Sequence, residues 1–177
     1  MDIFNEHIVK RKRGNKDYLK ICGILCGSVV LYYAVMLLLS LLGSYGSMFV
    51  FPTLIGIVFL NWYLIRSFMI EYEYSVTNGY MIIDRITARS RRKRMIAFEC
   101  RDIEKIQKYN PQDYEQKTFD QTLLLDDNDP ESVQWCAELT HKDFGRTLVV
   151  FTPNDRILAA MKPFLRRQVA FHAFNRI

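Results

Sequence analysis

Residues 21–65 read ICGILCGSVVLYYAVMLLLSLLGSYGSMFVFPTLIGIVFLNWYLI, forty-five positions without one Asp, Glu, Lys or Arg. At 1.5 Å of rise per helical residue, the twenty-two residues of 21–42 are long enough to cross a hydrocarbon core of about 30 Å. A second apolar run, 48–66, ends on Arg66, whose long stem reaches headgroups while Trp62 and Tyr63 suit the interface. Only Gly43-Ser44-Tyr45-Gly46-Ser47 separates the runs, so they predict a tight antiparallel helical hairpin.

Outward from the hairpin, Lys10, Arg11, Lys12, Arg13, Lys16 and Lys20 precede the first helix, whereas the turn between the helices is uncharged. The positive-inside rule places that basic flank in the cytosol, and two crossings return the chain there. The sequence therefore predicts a cell-membrane protein with two helices and cytosolic N- and C-termini. A secretory signal fits worse, because its apolar region runs to only about 7–15 residues and no A-x-A-like site follows here.

Within the first helix, Gly23 and Gly27 form a G-x-x-x-G pattern that clears side chains from one face. That face suits either the second helix of the same chain or a homodimer seam. Asn61 in the second helix is positioned to hydrogen-bond across the hairpin. No ionisable residue accompanies it, which argues against an ion or proton path.

The 24 basic and 19 acidic residues leave a net charge of +5. Residues 1–20 hold six basic and three acidic residues, so the remaining eighteen and sixteen nearly balance, and a nucleic-acid partner is excluded. Cys22 and Cys26 lie in the first helix, Cys100 and Cys136 in predicted strands, and no C-x-x-C occurs. With His7, His141 and His172 scattered, no zinc-ligand spacing exists, and neither metal nor cofactor is expected.

From Ile70 the pattern changes to short alternating segments bounded by turn residues. Residues 71–76 and 80–87 flank Asn78-Gly79, a pair suited to the positive φ angles of a type I′ hairpin turn. Further strands are predicted over 94–100, 103–109, 122–125, 133–139 and 146–151, with a polar loop over 110–121. Thr152-Pro153-Asn154-Asp155 then reads as a helix start, with Thr152 as N-cap and Pro153 in the first position; Pro163 limits the helix. The predicted organisation is a basic segment over 1–18, the hairpin over 19–68 (helices 21–42 and 48–66), a β domain over 69–165 and a tail over 166–177. No structure is assigned beyond Arg167.

Seven strands and a closing helix directly after a membrane segment resemble the bacterial pleckstrin-homology-like domain. The residues that carry the resemblance are Tyr74-Ser75-Val76-Thr77-Asn78-Gly79, the basic hairpin after them, Asp102-Ile103-Glu104-Lys105-Ile106 and the terminal helix. It extends over about 70–165 and is closest in kind to a family of small two-helix membrane proteins from Gram-positive bacteria. It implies a seven-stranded, helix-capped barrel or sandwich. Pleckstrin-homology domains that bind phosphoinositides place basic residues around their first hairpin loop, whereas Asn78-Gly79 carries no cation.

Arg85, Arg89, Arg91, Arg92, Lys93 and Arg94 make the most basic stretch of the domain, centred on the turn after the second predicted strand. Arg89, Arg91, Arg92, Lys93 and Arg94 are the candidate lipid-binding residues, since each cation near an anionic leaflet contributes about 1 kcal/mol. The same stretch also serves as a topology and solubility signal. Asp126-Asp127-Asn128-Asp129-Pro130-Glu131 lacks the glycine and spacing of a calcium loop, and reads as a solvated turn. His141 and Asp143 read as a surface turn before Gly145, and no nucleophile, phosphate-loop or metalloprotease motif occurs. The sequence thus predicts a non-enzymatic, membrane-anchored binding or scaffolding module that engages anionic lipid or a membrane or cytosolic protein. The alternative is a structural subunit of a larger complex or homo-oligomer assembled through the helices.

Overall fold

In the computed structural model, residues 4–174 are described. The chain divides into two units, 1–12 with 70–177, and 13–69. Strand β1 (Phe4–Lys10) comes first, and helices α1 (Asn15–Ser40) and α2 (Val50–Arg66) follow, joined through a 3₁₀ segment, Gly43–Phe49. Then come β2 (Ile70–Thr77), β3 (Tyr80–Thr87), β4 (Arg91–Glu99), β5 (Ile103–Lys108), β6 (Gln121–Leu125), β7 (Trp135–His141) and β8 (Gly145–Phe151). Helices α3 (Asp155–Met161) and α4 (Arg167–Phe174) end the described chain.

In the helical unit, both helices are long and apolar enough to cross a membrane, and none of either apolar window is buried by the protein itself. Helix α1 begins earlier than the apolar run, because Asn15, Lys16 and Asp17 already continue the helical turn from the N-cap Gly14. A half-buried stripe of α2, Thr53, Ile57, Asn61 and Leu64, recurs at helical spacing. Arg66 sets its guanidinium over the Trp62 ring, 5.2 Å from the centroid.

The other unit consists of two four-stranded sheets, ordered β1-β2-β3-β4 and β5-β7-β8-β6, packed as a sandwich and not closed into a barrel. The seven segments read as strands from the alternation correspond to β2 through β8. The two inner faces meet on Tyr74, Val76, Met81, Ile83, Phe98, Ile103, Leu139, Val149 and Phe151, each no more than 4 % exposed. Burial of this apolar surface supplies the main driving force for the domain. The β2–β3 turn has positive φ at Asn78 (49°) and Gly79 (83°), which is the geometry the Asn-Gly pair favours.

Three expectations are corrected. The segment 1–18 is not merely a basic leader: β1 pairs antiparallel with β2 from Phe4↔Thr77 to Lys10↔Glu71. Its first three residues lie outside the described ones. The tail assigned to 166–177 contains α4, whose Val169, Ala170, Ala173 and Phe174 pack against the core; residues 175–177 lie outside the described ones. The N-cap of α3 is Asn154, whose Oδ1 accepts from the Ile157 N–H at 2.9 Å, while Thr152 Oγ1 donates to Asp127 instead.

The polar loop 109–120 lies over the outer face of the second sheet, where Tyr114 covers Cys136, Leu148 and Val150. Buried Glu138 holds it there, accepting from Lys117 Nζ at 2.9 Å and from the Tyr114 hydroxyl at 3.2 Å. Cys100 and Cys136 are buried free thiols, and burial pushes Cys100 up to about 12.

Candidate functional site

The basic hairpin gains its geometry from one irregularity. Between Ile83 and Asp84 the β3–β4 register shifts, so Ile83 faces Ile96 but Asp84 faces Arg94, and Met95 is the extra residue. A bulge of this kind reverses which side chains point to which face. Plain alternation back from buried Ile96 and Phe98 would turn Arg92 and Arg94 toward the core. The bulge turns them to the outer face instead.

On that outer face the arginines meet carboxylates from β2 and β3. Arg92 forms an ion pair with Glu73, Arg94 Nε lies 3.6 Å from Asp84 Oδ1, and Arg89 Nε lies 3.7 Å from Glu71 Oε1. Burial pushes the Glu73 carboxyl above its ordinary value; Arg92 opposes the rise, and the neighbouring Glu6 and Asp84 add to it. Three of the five candidate lipid-binding residues, Arg89, Arg92 and Arg94, are therefore already neutralised in part by the sheet itself.

Arg91 and Lys93 take the other face. Lys93 stands opposite Arg85, which stands opposite Tyr72, and Arg91 stands opposite Thr87. Both are exposed and have no ion-pair partner among the described residues. Their end of the sheet is also where the chain leaves for the helices and comes back: the Arg11 N–H donates to the Ile70 carbonyl at 3.0 Å, and Ile70 pairs with Thr87. Cations, strand ends and the two connections to the helical unit thus meet at one edge of the domain.

The acidic turn 126–131 sits at the same end, and it clamps the chain. The Lys12 N–H donates to the Asp127 carbonyl at 2.7 Å, Asn128 Nδ2 donates to the Lys12 carbonyl at 3.1 Å, and Lys12 Nζ lies 2.5 Å from Asp129 Oδ2. Asp127 Oδ1 also accepts from Ser132 and Thr152. The hydrogen bond from Lys12 is the largest influence holding Asp129 below its ordinary value, and that same bond raises Lys12. The turn is solvated, with Asn128, Pro130 and Glu131 exposed, and it also fixes the chain where β1 ends. Sequence reasoning missed that role; the opposed charges of Lys12 and of 126–131 were its only signal.

The residues singled out in the helices separate. Gly23 and Gly27 are exposed, and a Cβ at either would meet nothing within 4 Å, so they do not seat α1 against α2. Asn61 is half-buried, and its side chain makes no hydrogen bond to a described residue. His141 and Asp143 form a hairpin turn in which the Asp143 N–H donates to His141 Nδ1 at 3.1 Å.

The first strand pair, β1 with β2, is connected by the helical unit, and the tight Asn78-Gly79 turn belongs to the second pair. The absence of a cation at Asn78-Gly79 therefore does not bear on the loop that joins the first two strands, which is flanked by Lys10, Arg11 and Lys12. No curated protein and no solved structure matches the chain. A family model does match, over residues 1–171, and so includes β1, both helices and both sheets. The chain belongs to the family described as Bacterial PH-like domain (DUF6106).

Proposed function

We propose that the protein is a membrane-anchored, non-enzymatic binding module, held by α1 and α2 with its PH-like domain at the cytosolic face and its cationic sheet end against anionic lipid. The observation that carries this reading is the meeting of unpaired Arg91 and Lys93 with both connections to the helices at one end of the first sheet. The pairing of β1 with β2 on either side of the helices supports a shared compartment for both flanks. The basic residues before α1 support the cytosol as that compartment. Two cations near an anionic leaflet contribute about 1 kcal/mol each.

Amide hydrogen exchange of the full-length protein in nanodiscs tests the lipid contact. Anionic discs slow exchange over 87–93 relative to zwitterionic discs, and Arg91→Ala with Lys93→Ala removes the difference. Equal exchange in both discs sinks the reading. Thiol labelling in intact cells tests the topology: a cysteine at Tyr45 is labelled from outside, one at Glu131 only after permeabilisation.

A second reading, assembly of copies through α1, draws support from the exposure of Gly23 and Gly27. Oxidative crosslinking through Cys22 or Cys26 in native membranes tests it, since both thiols are free and exposed. A monomer under crosslinking conditions counts against it.

A further inference from the structure

We infer that the free edge of β4 is a docking site for an extended, acidic segment of a partner protein, which adds to the first sheet as a further strand. β4 is the last strand of its sheet, so one side of its backbone has no strand partner. Beside it lies a groove of about 630 Å³, lined in part by Met95, Ala97, His141 and Phe144. Tyr80, also on the groove, is 44 % exposed and Phe144 is 37 % exposed. The groove is mixed, with Glu99, Asp102 and Asp143 on its walls beside apolar Met95 and Phe144, and an edge strand next to such a groove recognises peptides by strand addition: backbone bonds give affinity and alternate side chains give selectivity.

One residue marks the edge as competent to accept such a bond. His141 Nδ1 accepts from the Asp143 N–H, so Nε2 carries the proton and donates to the Ala97 carbonyl at 3.2 Å. The imidazole stands where the N–H of a neighbouring strand would stand, and the Phe144 ring stacks on it at 5.0 Å. An incoming strand displaces this single side-chain bond and gains a ladder of backbone bonds in return.

Charge decides the occupant. The half of β4 that starts at the groove with Arg94 and runs away from it is Arg91-Arg92-Lys93-Arg94, and all four are exposed. A strand laid along β4 has its side chains beside these four; Arg92 and Arg94 stay with Glu73 and Asp84, while Arg91 and Lys93, which have no ion-pair partner among the described residues, stand at alternate positions on the other face and meet Glu or Asp there. A second copy is the poorer occupant, since pairing two β4 edges doubles this cation density against one Glu99 per chain. The inference goes beyond the lipid reading and does not need a membrane.

The test uses full-length protein in a nonionic detergent without lipid, and a fluorescein-labelled decapeptide of alternating Glu and Val. Anisotropy detects binding, and amide exchange of 95–99 slows when the peptide is present. Arg91→Glu with Lys93→Glu weakens binding at least tenfold, Phe144→Ala weakens it severalfold, and His141→Ala tightens it about fivefold by freeing the Ala97 carbonyl. Ala97→Pro abolishes it, and the preceding variants stand in its place if that chain does not fold. Equal binding of a control decapeptide of alternating Lys and Val overturns the inference, as does no binding of the Glu/Val peptide. Binding confined to anionic nanodiscs overturns it as well, and leaves the lipid reading intact. A concentration-dependent dimer lost in Ala97→Pro overturns it in favour of a second copy.

Discussion

Glu73 and Asp129 each face a cation, yet they answer to pH in opposite senses. The native carboxyl of Glu73 is raised from an ordinary 4.5, so above that pH the native state keeps a proton the unfolded chain has released. Stability therefore falls as pH rises through this window and levels off above the native value. Glu73→Gln removes that slope, which denaturant titrations at stepped pH will register. Asp129 is depressed from 3.8, so its contribution is fully present above 3.8 and is lost as pH falls through the lower native value. Asp129→Asn removes the acid-side loss but also frees Lys12, and the same titrations at pH 2–5 read it. Tyr74 joins the sheets more directly: its hydroxyl donates to the Leu125 carbonyl at 2.5 Å and accepts from the Thr152 N–H at 3.2 Å. Tyr74→Phe leaves both without this partner and costs about 1–3 kcal/mol, measured by chemical denaturation.

At the scale of elements, β2 through β8 were legible because each carries apolar residues at strand spacing between turn residues, although β7 and β8 bury five residues in a row. β1 was not. Its inward residues are Asn5, His7 and Val9, and its outward ones include Phe4 and Ile8, so the apolar pattern is inverted relative to its burial. An edge strand whose partner lies sixty residues away offers no local turn signal either. The Met95 bulge was equally hidden, since nothing in Arg91-Arg92-Lys93-Arg94-Met95-Ile96 distinguishes an inserted residue from a regular one. It decides the candidate site all the same, by sending Arg92 and Arg94 to Glu73 and Asp84 and leaving Arg91 and Lys93 unpaired. Deleting Met95 only makes the ladder regular, with Arg94 still opposite Asp84, whereas Arg92→Ala with Arg94→Ala leaves buried Glu73 and Asp84 without their cations. The expected result is a loss of about 3 kcal/mol or more, read as a lowered midpoint of thermal unfolding in detergent.

For the molecule as a whole, the helical unit is an insertion between two paired strands, not an anchor placed ahead of a finished domain. Residues 4–10 therefore belong to the domain although the helices separate them from the rest of it. Removing them strips one side of β2, including the His7 ring that lies 6.2 Å from Tyr74. The expected outcome is a cooperative loss of folded domain, visible in tryptophan fluorescence through Trp135, with the helices intact by circular dichroism.

The β1–β2 pairing also sets an order of events during synthesis. On the membrane-anchored reading proposed above, β1 has no partner until both helices and then β2 have been made, so it waits, unpaired, through the whole insertion step. They find β2 only if the second helix has brought the chain back to the side where it started. A chain that crosses once strands the two halves of this ladder on opposite faces of the bilayer, with no route to closure. Completion of the sheet thus acts as a count of crossings: a folded domain certifies an even number, and an unfolded one exposes a β2 edge to proteolysis.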